Sequence, residues 1–156
     1  MPFRAVVFDL DGTLLDTLTD LGESSNAALA RLGFPTHPLE AYRTFVGDGV
    51  NVLIQRILPE SHRDAATVAR GVEAFREVYG ENWNNRTRPY EGIVEMLDEL
   101  TARRIPMAVL SNKPHDFTVQ CVEEFLPDHH FAVVLGHQQG RPTKPNPDGA
   151  LEIARQ

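Results

Sequence analysis

Asp9 and Asp11 close the short apolar run Val6-Val7-Phe8, with one hydrophobe, Leu10, between them. Residues two apart in an extended chain lie on the same face, so both carboxylates project together from the end of a buried strand. Gly12 follows and lets the backbone turn. Paired carboxylates repel, and a bound cation or a proton held by one of them relieves the repulsion. Either condition suits phosphoryl chemistry, in which charge on oxygen is neutralised and a proton is moved. An isolated Asp-x-Asp-Gly reads more simply as a strand entering a turn, since Asp and Gly favour turns by themselves.

The elements that must position these carboxylates follow from periodicity. Leu18, Leu21, Ala28, Leu29 and Leu32 keep helical spacing up to stop signals at Gly33 and Pro35. A second helical region is expected over 38–46. Val50, Leu53, Ile54, Ile57 and Leu58 then form an apolar stripe ending at Pro59. A further helix is expected from His62, carrying Ala65, Val68, Ala69, Val72, Phe75 and Tyr79, and fading in the polar stretch 82–88. Residues 16–87 thus read as entirely helical, with Trp83 and the other aromatics expected in packing.

Beyond Pro89 helices and strands alternate. A helix is expected over Ile93, Val94, Leu97 and Leu100, a strand at 107–110, a helix from about Pro114, a strand at 131–135, and a last helix opened by Pro147 with Asn146 as N-cap. Such alternation argues for parallel βαβ units. The fold class is α/β, a Rossmann-like core of residues 1–15 and 88–156 interrupted by the helical segment 16–87.

In open α/β sheets ligands bind outside the carboxyl ends of the strands. Three such ends carry polar residues here: Asp9 and Asp11 after the first strand, Ser111 and Asn112 after the second, and Lys144 in the loop beyond the third. Ser111 alone reads as a helix cap and Lys144 alone as a solvated loop lysine, but their shared edge defines a site.

With 156 residues, 42% of them hydrophobic, the chain suits a compact globular protein rather than a disordered one. No apolar run approaches the roughly 20 residues of a spanning helix, and the N-terminus shows no signal-peptide pattern, so a cytoplasmic location without a membrane partner is expected. Cys121, the single cysteine, forms no intrachain disulfide and reads as a buried structural thiol. The formal charge of −7 and the lack of a Lys/Arg cluster exclude a nucleic-acid footprint. The six histidines lack metal-site spacing; His129-His130 reads at most as an adventitious site, and surface loop positions are expected.

The string Asp9-Leu10-Asp11-Gly12-Thr13-Leu14-Leu15-Asp16-Thr17 resembles the opening motif of the haloacid dehalogenase-like (HAD) phosphohydrolases. The resemblance runs along essentially the whole chain and is strongest to the phosphoglycolate phosphatase branch. It implies that Asp9 attacks phosphorus to form an aspartyl-phosphate and that Asp11 serves as general acid and base. Haloacid dehalogenases lack an acid at this second position, so Asp11 favours phosphate esters over carbon–halogen bonds. Val109-Leu110-Ser111-Asn112-Lys113-Pro114 resembles the second motif, in which the Ser111 hydroxyl and nearby amides hold phosphate, and Lys144 resembles the third-motif lysine that pairs with Asp9 and phosphate. Mg²⁺ is the implied cofactor, held by the Asp9 carboxylate and the Asp11 carbonyl.

The helical insertion resembles a cap that selects the substrate and excludes water. Its segment Phe45-Val46-Gly47-Asp48-Gly49-Val50 is similar to a cap segment of phosphoglycolate phosphatases, with Gly47, Asp48 and Gly49 as candidate contacts to a small carboxylate. A plain helix–helix turn with Asp48 as N-cap explains the same residues equally well.

The family's fourth motif, an acidic pair that completes the magnesium shell, has no counterpart before Gln156, so the parallel sheet is expected to be incomplete at its C-terminal side. The first strand, apolar throughout, suits a position covered on both faces; as an edge it invites self-association. The natural protein is therefore expected to be longer or this species a fragment. The leading expectation is a phosphatase for a small phosphorylated metabolite, with 2-phosphoglycolate the specific choice. The alternatives are a sugar phosphomutase of the same superfamily and an inactive remnant serving as an interaction module.

Overall fold

A computed structural model describes residues 3–156. Its residues fall into two compact units, one reaching to Asp16 and resuming at Arg88–Gln156, the other spanning Thr17–Thr87.

The first unit is built on a parallel sheet. Its strands are β1 (Val6–Phe8), β4 (Met107–Pro114) and β5 (Val133–His137), in the order β1-β4-β5. The register sets Phe8 opposite Val109, and Val109 opposite Val134. It shifts between Leu110 and Pro114, where β4 runs on past its apolar part into Ser111, Asn112 and Lys113. The central strand is the most buried, as a strand hydrogen-bonded on both sides must be. Helices α5 (Ile93–Ala102), α6 (His115–Phe125) and α7 (Asp148–Ile153) alternate with these strands, and Cys121 is fully buried in α6.

Among the described residues β1 pairs on one side only, as expected of a sheet incomplete on that side, and its Val7 is 45% exposed. Two expectations are corrected in this unit. The third parallel strand begins at Val133, because Phe131 turns into the core and Ala132 N–H reaches Met107 O ahead of the regular register. His129 is no surface residue: its side chain is 5% exposed, with Nε2 3.0 Å from Asp98 Oδ1. A short antiparallel ladder, β2 (Leu15–Asp16) with β3 (Arg88–Pro89), joins the segments where the chain leaves and re-enters this unit.

The second unit is helical: α1 (Leu18–Arg31), α2 (Tyr42–Phe45), α3 (Val50–Ile57) and α4 (Ala65–Asn82). The α3 stripe is realised, with Leu53, Ile54 and Ile57 buried and Leu58 continuing it. The region 38–46 is split instead into a 3-10 turn, Leu39–Ala41, and the four-residue α2. Helix α4 starts at Ala65, not His62, because Asp64 caps it by accepting Thr67 N–H at 3.0 Å. Its buried face is Val68, Gly71, Phe75, Val78 and Tyr79, while Ala65 and Ala69 are exposed. Gly71 lets α3 approach, since a Cβ there would run into Ile54. A polar cluster crosses this core: Tyr42 donates to Asn26 Oδ1 (2.8 Å), Asn26 donates to His37 O (2.8 Å), and His37 Nε2 lies 2.7 Å from Ile57 O.

Candidate active site

The chain after β1 is wound around one carbonyl. Leu10 O accepts the N–H groups of Thr13, Leu14 and Leu15, and Gly12, at φ +76°, donates to Leu15 O at 2.9 Å. A positive φ favours glycine, so the Asp-Leu-Asp-Gly order is what allows the turn. Leu10 and Leu14 are fully buried, which anchors the turn and leaves Asp9 and Asp11 at the carboxyl end of the strand.

Two lysines meet the two carboxylates. Lys144 Nζ lies 2.8 Å from Asp9 Oδ1, an oxygen that also accepts Leu10 N–H at 2.8 Å. The same ammonium donates to Leu110 O at 2.8 Å. Asn112 fixes the Lys144 backbone from both sides, accepting its N–H on Oδ1 (2.8 Å) and donating from Nδ2 to its carbonyl (3.2 Å). Lys113 Nζ lies 3.1 Å from Asp11 Oδ1 and 3.4 Å from Oδ2. Ser111 Oγ accepts Lys113 N–H at 3.2 Å, and Ser111 is buried.

The pairs differ in exposure. The Lys144 and Asp9 side chains are 29% and 43% exposed, those of Lys113 and Asp11 only 2% and 14%. One carboxylate is thus open to an incoming anion while the other is held against a buried cation. A cavity of about 240 Å³ is lined by Ser111, Asn112, Gly136, Arg141 and Lys144 among others, so that of the two pairs it meets Lys144.

The fold therefore gathers Asp9, Asp11, Ser111, Asn112 and Lys144 at one end of the sheet in one unit. Gly47, Asp48 and Gly49 belong to the helical unit. There Asp48 is not the N-cap of α3; that position is Gly49, at φ +92°, and the Asp48 carboxylate pairs with Arg56, which also donates to Phe45 O at 3.1 Å. Lys113 was not among the residues expected to form the site. The available signal was strand alternation, which puts residues 111 and 113 on one face at the same strand end. Both site carboxylates are hard oxygen donors; among the described residues no group of three or more His, Cys, Asp or Glu side chains is arranged to hold a metal. No described helix is long and apolar enough to cross a membrane.

A parallel α/β sheet whose carboxyl end presents two carboxylates, two ammonium groups and a buried hydroxyl gathers its polar groups where open α/β sheets bind their ligands. Residues 6–156 match the family model for haloacid dehalogenase-like hydrolases, and the chain belongs to that family. It is 35% identical over 150 residues to a phosphoglycolate phosphatase of Thiobacillus denitrificans (strain ATCC 25259 / T1), covering 94% of this chain and 66% of the relative. It is 36% identical over 151 residues to that of Haemophilus influenzae (strain 86-028NP), covering 93% and 67%. The crystal structure of a "predicted phosphoglycolate phosphatase" from Haemophilus somnus 129pt superposes with a TM-score of 0.88 at 31% identity, covering 98% of this chain and 71% of that one. The chain thus spans about two thirds of the length of the curated relatives it matches.

Proposed function

We propose that this chain carries the catalytic core of a phosphoric monoester hydrolase acting on a small phosphorylated metabolite, with 2-phosphoglycolate as the substrate of first choice. The observation that carries the reading is the pairing of an exposed carboxylate, Asp9, with Lys144 at the end of β1. Asp9 is the nucleophile. Lys144 aligns it and receives the phosphoryl oxygens, Ser111 adds a hydroxyl, and Asn112 contributes by fixing the Lys144 main chain. Asp11 gives a proton to the leaving alcohol and later takes one from the attacking water, so that the ester bond breaks, an acyl-phosphate forms on Asp9, and hydrolysis restores the carboxylate.

Magnesium fits a donor set of the Asp9 carboxylate and the Asp11 main-chain oxygen, because it prefers hard oxygen ligands and keeps several waters when protein ligands are few. When bound it neutralises charge on the transferring group. The helical unit, residues 16–87 in this reading, serves as a cap that selects the substrate, with Gly47, Asp48 and Gly49 as its candidate contacts to a small carboxylate, and the protein works in the cytoplasm. The one-sided pairing of β1 among the described residues supports self-association along that edge, checked by sedimentation across a concentration series.

The test is phosphate release from 2-phosphoglycolate and a panel of sugar phosphates, with and without Mg²⁺. Release that depends on Mg²⁺ and falls at least about a thousandfold in Asp9→Asn supports the reading. Undiminished release by Asp9→Asn overturns it.

A further inference from the structure

Lys113 has no part in the mechanism above, yet it is the most deeply buried charge at the site, its side chain only 2% exposed. An ammonium withdrawn from water is tolerated only against a partner that compensates its lost hydration. Here that partner is Asp11, approached at both carboxylate oxygens. The backbone of Lys113 is pinned as tightly. Its N–H is held by Ser111 Oγ, its carbonyl accepts the Thr118 hydroxyl at 3.2 Å, and Gly136 presses against that carbonyl so closely that a Cβ would stand 2.8 Å away. Lys113 therefore presents a fixed positive charge, not a mobile one of the kind found on surface lysines.

Asp11 sits in the tight turn around Leu10, so its main chain is also set. What the turn leaves open is the side-chain rotamer of a short acid, and the ammonium decides it. We infer that Lys113 is a positioning residue, acting through Asp11 by holding its carboxylate in the orientation from which a proton is delivered. The inference rests on the reading of Asp11 as the proton-transfer group. It also explains why the two carboxylates, two residues apart, are treated differently: the one against half-buried Lys144 is reachable by substrate, and the one against buried Lys113 is kept in place.

The experiment compares the full chain with Lys113→Met, Asp11→Asn and the double variant, in which no charge is left stranded if Lys113→Met alone folds poorly. With 2-phosphoglycolate and Mg²⁺, Lys113→Met is expected to lower kcat about tenfold or more while KM stays within about twofold. In the Asp11→Asn background, with residual release followed over hours, the same substitution should change kcat by less than about twofold. Equal losses in both backgrounds, or a loss confined to KM, overturn the inference. Crystal structures of the unaltered chain and Lys113→Met provide a readout independent of activity: the Asp11 carboxylate should move by more than about 1 Å. A carboxylate that stays put refutes the positioning role. If the unaltered chain releases no phosphate from any substrate, the phosphatase reading fails, and the displacement alone decides the role of Lys113.

Discussion

Replacing Asp20 by alanine removes the acceptor that ties the end of the helical unit to its beginning. Asp20, in the first turn of α1, is 2% exposed, and its carboxylate accepts Arg86 N–H (2.9 Å), Thr87 N–H (2.8 Å) and the Thr87 hydroxyl (2.8 Å). Thr87 is itself buried, so Asp20→Ala leaves donors that water reaches poorly. Hydrogen bonds to a charged group contribute roughly 1.5–3 kcal/mol each. A groove of about 200 Å³ lined by Asp20, Ser24 and Asn82 opens beside the carboxylate's position, which places the expected loss at the lower end for three bonds. The expected cost is about 4–5 kcal/mol, against about 1.5 kcal/mol for Thr87→Val, which removes a single donor and preserves shape. Urea unfolding measures both, and amide exchange at Arg86 and Thr87 shows whether the loss is local. A cost below about 1 kcal/mol for Asp20→Ala, with unchanged exchange at those amides, would refute the reasoning.

Gly136→Ala places a Cβ 2.6 Å from His115 Cα and 2.8 Å from Lys113 O, backbone atoms that yield only with the sheet and α6, so a loss of about 2–3 kcal/mol is expected. Gly80→Ala meets no atom within 4 Å on α4 and should stabilise by about 0.5–1 kcal/mol in the same urea assay. Burial pushes the Tyr42 hydroxyl from its ordinary value of 10 up to about 12. Below pH 10 both states keep this proton; between 10 and about 12 the unfolded chain loses it first, so stability falls with rising pH, by up to ~2.7 kcal/mol once both are ionised. Tyr42→Phe should flatten that alkaline slope, read as urea midpoints from pH 8 to 11, at a cost of about 1 kcal/mol at neutral pH for the lost bond to Asn26.

Apolar periodicity made the fold legible where one face of an element is buried. Leu53, Ile54 and Ile57 read as a stripe and are one; Met107, Ala108 and Val109 read as a strand and lie in the central one. Where local hydrogen bonds compete with the pattern, the reading slipped. Helix α4 starts where Asp64 finds Thr67, two residues after His62, and Asp48 turns to Arg56 instead of capping α3. The α2 region carries enough apolar residues for a longer helix, but His37 and Tyr42 are committed to Asn26, and the chain follows those bonds.

Charged side chains were legible only when their role shows in a local motif. Asp9 and Asp11 stand out because two acids interrupt an apolar run, and Lys144 because it follows a strand end. Asp20 looks like any surface charge in sequence, and strand alternation sets Lys113 on the face of Ser111 without telling that its ammonium is removed from water. What distinguishes them is a partner 102 residues away for Lys113 and 67 for Thr87 to Asp20, contacts fixed by topology and not by spacing. Both became inferable only with the fold, because the cost of burying a charge forces a partner upon it. A buried lysine opposite a reactive-type carboxylate is accordingly a stronger indication of function than an exposed one: the exposed residue needs no reason to be there, whereas the buried one persists only in a structure that holds both partners in place.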